Sequence, residues 1–195
     1  MDLIPGFGDF AERFASVCNS EEWRKAQDDF DFCRTILTVG NGGNLAVCDH
    51  GSIDIARLTD KQSMAPGSGI LASSLINDAT HDLWVKNWLS ICMRGMSPEA
   101  MEQTMIIGVS SSGISKNICL ALDHAARSGM RTLLISAQPP KIPGSYNTVV
   151  LNVNEYHTSE VLTLSLIYQL IHGSGFSCPT ISESEERSLV SDYCR

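Results

Sequence analysis

Twice in this chain a short apolar run passes directly into a glycine-containing turn and then into a helical pattern. Residues 34–39 (Arg-Thr-Ile-Leu-Thr-Val) lead into Gly40-Asn41-Gly42-Gly43-Asn44, and residues 105–109 lead into Ser110-Ser111-Ser112-Gly113-Ile114-Ser115. Apolar periodicity predicts helices over 44–58 and 115–128 immediately afterwards. Two such strand–turn–helix junctions are expected of a parallel α/β sheet, whose ligands sit at the carboxyl ends of its strands.

The second turn carries chemistry of its own. The first N–H groups of a helix have no intrahelical partners, and the helix dipole favours a negative ligand there. A phosphate can therefore be held at such a turn without a lysine. The hydroxyls of Ser110, Ser111, Ser112 and Ser115 add donors, and Gly113 lets the backbone approach closely. The same residues also fit an ordinary turn in which Ser112 or Ser115 caps a helix.

Further strands are expected at 131–137 and 147–153, with a weaker one near 64–71. Further helices are expected at 81–93, 97–102 and 155–172, and one or two short ones within 8–31. Gly129 ends the 115–128 helix, and Pro139-Pro140-Lys141-Ile142-Pro143-Gly144 reads as a loop. This alternation predicts a mostly parallel sheet covered by helices on both faces. The chain divides into an N-terminal helical segment (1–33), an α/β domain (34–175) and a C-terminal tail (176–195). That tail contains Glu183, Glu185 and Glu186 and reads as frayed chain or a surface helix.

With 195 residues the chain is long enough for one domain with a full core. Its formal charge of −8 argues against nucleic acid as a partner, since a phosphate backbone needs a basic face. There is no signal-peptide pattern at the N-terminus and no apolar run long enough to span a bilayer, so a cytoplasmic protein is expected. The hydrophobic share of 43% against 18% charged residues points to a large internal or intersubunit surface. The seven cysteines show no Cys-x-x-Cys pair and read as buried free thiols, Cys48 lying nearest the glycine turn.

Taken in order, Gly40-Asn41-Gly42-Gly43, Asn77-Asp78, Ser110-x-Ser112-Gly113-x-Ser115 and Glu155-x-His157 resemble the motifs of sugar isomerase (SIS) domains, in particular the phosphoheptose isomerase branch. The resemblance covers about residues 34–172. It implies a three-layer α/β/α sandwich with a mostly parallel five-stranded sheet, a phosphorylated sugar as ligand, and a homotetramer with shared sites.

Carried over residue by residue, the resemblance gives substrate contacts to Asn41, Gly42, Gly43, Asn44, Asn77, Asp78, Ser110, Ser111, Ser112, Ser115 and Asn154. His50 and Asp54, spaced i,i+4 and so on one helix face, stand where these isomerases place a metal-binding His and a Glu. Asn154 replaces a Gln, and Leu162 replaces a second metal-binding His that also moves protons. Leucine can do neither. Zinc, the cofactor in question, is therefore weakened, Asp54 becomes the expected base, and the partner missing at Leu162 is expected from His157, from Glu160 or from a neighbouring subunit. Asn77-Asp78 also reads as a simple Asx turn, and His157 as a helix-start histidine facing a neighbour.

The function implied is a sugar-phosphate isomerase acting on a heptose such as sedoheptulose 7-phosphate, in heptose or surface polysaccharide biosynthesis. The competing expectation is a non-catalytic binding or regulatory protein. A relative of these isomerases that assists replication initiation also lacks the second metal histidine.

Overall fold

The computed structural model describes residues 3–67, 69–142, 144–178 and 180. Five strands form one parallel sheet: β1 (Thr35–Val39), β2 (Gln62–Met64), β3 (Thr104–Val109), β4 (Arg131–Ser136) and β5 (Asn147–Val150). Their order across the sheet is β2-β1-β3-β4-β5, and every neighbouring pair is parallel.

Alternation along the central strands builds two cores. Ile36, Met105, Ile107, Leu133 and Ile135 face one side. There they meet α1 (Phe10–Cys18), α2 (Glu21–Phe32), α3 (Gly43–Leu58) and α8 (Tyr156–Gly173). Leu37, Val39, Ile106 and Leu134 face the other side, against α4 (Gly69–Asp78), α5 (Trp84–Cys92) and α7 (Lys116–Arg127), with α6 (Pro98–Glu102) leading into β3. Three layers result, as expected, and the central strands β1, β3 and β4 are covered on both faces, whereas the edge strand β2 is exposed. The N-terminal helices belong to the first core. Ser20 caps α2 by accepting from the Trp23 N–H at 3.1 Å, and Trp23, Ala26 and Phe30 are buried beneath it.

Three expectations change. The strand near 64–71 is confined to residues 62–64, and residues 69–78 are helical. Pro66 lacks the N–H a strand ladder needs. Beyond it Leu71, Ala72, Leu75 and Ile76 pack on the second core at helical spacing. The last strand stops at Val150, because Asn152 takes φ 54°. The Leu151 and Val153 N–H groups still donate to Ser136 and Ala137 at 2.8 and 3.1 Å. Among the cysteines, Cys33, Cys48 and Cys119 are buried, whereas Cys18 and Cys92 are half-buried and Cys178 is exposed. Cys194 lies outside the described residues, as does most of the expected tail, including Glu183, Glu185 and Glu186.

Among the described residues no helix is long and apolar enough to cross a membrane.

Candidate active site

Because β1 and β3 are neighbours in register, with Val39 opposite Gly108, the glycine and serine turns emerge side by side at the carboxyl edge of the sheet. Asn41 and Asn117 exchange amide hydrogen bonds of 3.0 and 2.8 Å across the gap. Asn44 donates to Ser111 Oγ at 3.0 Å, and Ser111 in turn lies 3.1 Å from Ser159 Oγ on α8. Asn44, Ser111 and Ser159 are all buried. This network ties three elements together at one point, and its polar atoms satisfy one another.

The serines therefore divide by role. Ser110, buried, donates to Ser115 Oγ at 2.8 Å, which leaves the Ser115 hydroxyl its own hydrogen to offer outward. Ser112 accepts from the Ile114 N–H at 3.4 Å and likewise keeps its hydrogen. Ser112 and Ser115 are half-buried at the start of α7, next to N–H groups that the helix leaves unpaired. Gly113 makes the turn possible. Its φ is 65°, and a Cβ there would meet Pro140 Cα at 2.9 Å. A cleft of 130 Å³ separates Ser111 and Ser112 from Gln138, Asn154 and Glu155. Larger open concavities of 460 and 500 Å³ lie under α1 and at the amino ends of the strands, away from both turns. Ligands of such sheets gather at the carboxyl ends, which is where the small cleft lies; a further concavity of 350 Å³ runs along α7 beside Lys116, Cys119 and Ile142.

Farther down α3, His50 Nε2 lies 3.1 Å from Asp54 Oδ2 and 2.9 Å from Tyr168 Oη. Tyr168 donates to the same Asp54 oxygen at 2.6 Å, and Arg57 approaches Oδ1 at 3.5 Å. Asp54 is largely covered, its side chain 14% exposed against 57% for His50. Burial, then the bond to Asp54, pushes the Tyr168 phenol up to about 12. Sequence reasoning did not single out Tyr168. Its signal was a phenol within the apolar second half of α8, a residue type that seeks a polar partner when covered.

Leu162 is fully buried in the first core and carries no donor. Asn154 is exposed, and its amide oxygen accepts from Gln138 Nε2 at 2.9 Å. Among the described residues no three His, Cys, Asp or Glu side chains converge. Zinc is held by Cys, His or carboxylate, ordinarily at four positions, and the residues here do not fit such a site. Asn77 and Asp78 stand at the exposed end of α4, where one amide donates to the other's carboxylate at 3.3 Å. No hydrogen bond among the described residues joins them to either turn. His157 is exposed and stacks on Phe7, with ring centroids 6.2 Å apart, and Thr158 donates to the Pro5 carbonyl at 2.9 Å. The N-terminal segment thus lies over the start of α8. Cys48 is fully buried and burial raises its thiol far above the ordinary range, so it is no nucleophile.

The chain matches no protein-family model. Among solved structures, a phosphoheptose isomerase from Neisseria gonorrhoeae superposes with a TM-score of 0.72, covering 85% of this chain and 91% of that one at 15% identity. A transcription factor from Sphaerobacter thermophilus, in its sugar isomerase domain, gives 0.54 over 94% and 91% of the two chains at 18% identity. The fold is that of the sugar isomerase domains. In sequence, a phosphoheptose isomerase of Syntrophotalea carbinolica is 26% identical over 129 residues. Those residues are 66% of this chain and 65% of that protein, so the match spans less than two thirds of the relative's length. The sugar isomerase resemblance drawn from the ordered motifs thus recurs in sequence and in architecture.

Proposed function

We propose that this protein binds a phosphorylated sugar at the serine turn and isomerises it between aldose and ketose, with sedoheptulose 7-phosphate as the substrate. The observation that carries the reading is the Ser112 hydroxyl on a phosphate-sized cleft, close to Ser115 at the N-cap of α7, both with a hydrogen left to donate. Asn154 and Glu155 line the opposite wall and face the sugar. Isomerisation moves a proton between C1 and C2 and needs a base for it. Asp54 is that base: Tyr168 holds Oδ2, and Oδ1, loosely approached by Arg57, takes the proton. His157 serves the sugar oxygens. The working form is a cytoplasmic homotetramer, in which a neighbouring copy brings the base and the phosphate seat into one site.

A second reading is a sugar-phosphate sensor without turnover. It is favoured by the buried Leu162, which removes a proton carrier, and by the likeness to the domain of a transcription factor.

One experiment separates the two. Purified protein is titrated calorimetrically with sedoheptulose 7-phosphate and assayed for isomerisation in the same buffer. Binding with turnover, abolished by Asp54→Asn while affinity persists, supports the enzyme. Binding without turnover supports the sensor, and no binding overturns both.

A further inference from the structure

The N-termini of α3 and α7 lie side by side at the carboxyl edge of the sheet, and the chain treats them differently. At α7 the serine hydroxyls are left to face outward. At α3 the side chains of the glycine turn are spent on internal bonds, Asn41 with Asn117 and Asn44 with Ser111. The positive pole of α3 has another neighbour. A Cβ built on Gly43, the first residue of α3, would meet Glu160 Cδ at 2.5 Å and Oε2 at 2.7 Å, with Oε1 closer still. The carboxylate of Glu160 thus fills the space a side chain at position 43 would take. A side chain at position 43 would have to displace the flexible end of Glu160. Glu160 follows Ser159, whose hydroxyl lies 3.1 Å from Ser111, so α8 brings the carboxylate to the glycine turn next to the serine turn, while the carboxylate lining the serine-turn cleft itself is that of Glu155. Among the described residues no Lys, Arg or His forms an ion pair with it.

A carboxylate at a helix N-terminus is stabilised by the dipole and neutralises it toward any further anion. We propose that Glu160 is a specificity-determining residue that occupies the anion position of α3, so that the crevice accepts one phosphate, at the serine turn, and rejects a second. The inference rests on the serine turn as phosphate seat and narrows the substrate class to sugar monophosphates with a neutral hydroxylated end toward the glycine turn. A 1,7-bisphosphate meets like charge at that end, which is how a binding site discriminates by repulsion.

The test compares sedoheptulose 7-phosphate with sedoheptulose 1,7-bisphosphate by calorimetry on the native chain, Glu160→Gln and Glu160→Lys. The native protein is expected to prefer the monophosphate by roughly tenfold or more, and Glu160→Gln to gain about tenfold for the bisphosphate while the monophosphate moves less than about threefold. Glu160→Lys reverses the preference. Thermal melts check that both variants fold, and the lysine variant carries the test if the glutamine variant does not. An unchanged bisphosphate affinity in both variants, or an equal gain for both esters, overturns the proposal. If the native protein binds neither ester, the serine-turn reading fails by itself. Glu160 is then judged by inorganic phosphate, which Glu160→Lys must bind and the native chain must not.

Discussion

Tyr168 donates its phenolic hydrogen to Asp54 Oδ2 at 2.6 Å, joining α8 to α3 beside His50. The bond holds the carboxylate in one orientation and gives the phenol a partner where the first core reaches the surface. Its loss in Tyr168→Phe is expected to cost on the order of 1 kcal/mol, because the pair is only partly shielded from water. The pH dependence has a definite sign. Burial, then Asp54, pushes the phenol up to about 12 from an ordinary value of 10.0. The native state keeps its proton longer than the unfolded chain does. This contribution is therefore complete below about pH 10 and is lost as the pH rises through about 12. Melting temperatures of the native chain and Tyr168→Phe should converge over that window. A constant offset would contradict the assignment.

On the acid side, burial lowers the His124 pKa below 6.5, with Lys86 and Arg127 adding to the effect and Asp123 opposing it. The unfolded chain then takes up the proton first. Stability associated with neutral His124 is present above pH 6.5 and declines as the pH falls toward the depressed folded value. His124→Gln should flatten that part of the stability profile in urea unfolding, leaving the neutral-pH stability little changed.

The two inner serines and the two outer ones should separate in experiment. Ser112→Ala is expected to weaken sugar-phosphate binding by about 1.5–3 kcal/mol, the loss of one hydrogen bond to a charged group. Ser111→Ala leaves Asn44 and Ser159 short of a partner inside the protein. It should lower stability by about 1–3 kcal/mol before it touches affinity. Calorimetry and denaturant unfolding on both variants check the split, and equal effects of the two substitutions on affinity would be the contrary result.

Leu162 is a packing residue. It is fully buried among Leu166, Ile167 and the strands of the first core. Leu162→Ala should destabilise by about 2–5 kcal/mol through the cavity left behind. Leu162→His should be at least as costly, because it buries an imidazole in an apolar surround instead of building a metal ligand. Urea midpoints of both variants, measured with and without zinc, test this, and a zinc-dependent rise for the histidine variant would refute it.

Much of the architecture was legible along the chain. β1 and β3 are mostly apolar runs with glycine-containing turns after them, and α7 shows sustained periodicity, so local pattern and burial agree. After Pro66, Ile70 and Leu71 read as strand by composition, whereas packing on α5 needs helical spacing. At the site, residue types were readable but their direction was not. Ser110, Ser111, Ser112 and Ser115 look alike in sequence, yet one turn and one asparagine, Asn44, decide which face inward.

Local residue pattern was enough for the alternation of strands and helices, the two turns at strand ends and the absence of a donor at position 162. These follow from side-chain chemistry and periodicities of two and 3.6 residues. Long-range packing alone brings Tyr168 to Asp54, stacks Phe7 on His157 and sets Glu160 against Gly43. Each of those contacts joins residues more than a hundred positions apart. Their geometry is set by how α8 packs on α3 and on the N-terminal segment, which no local pattern encodes.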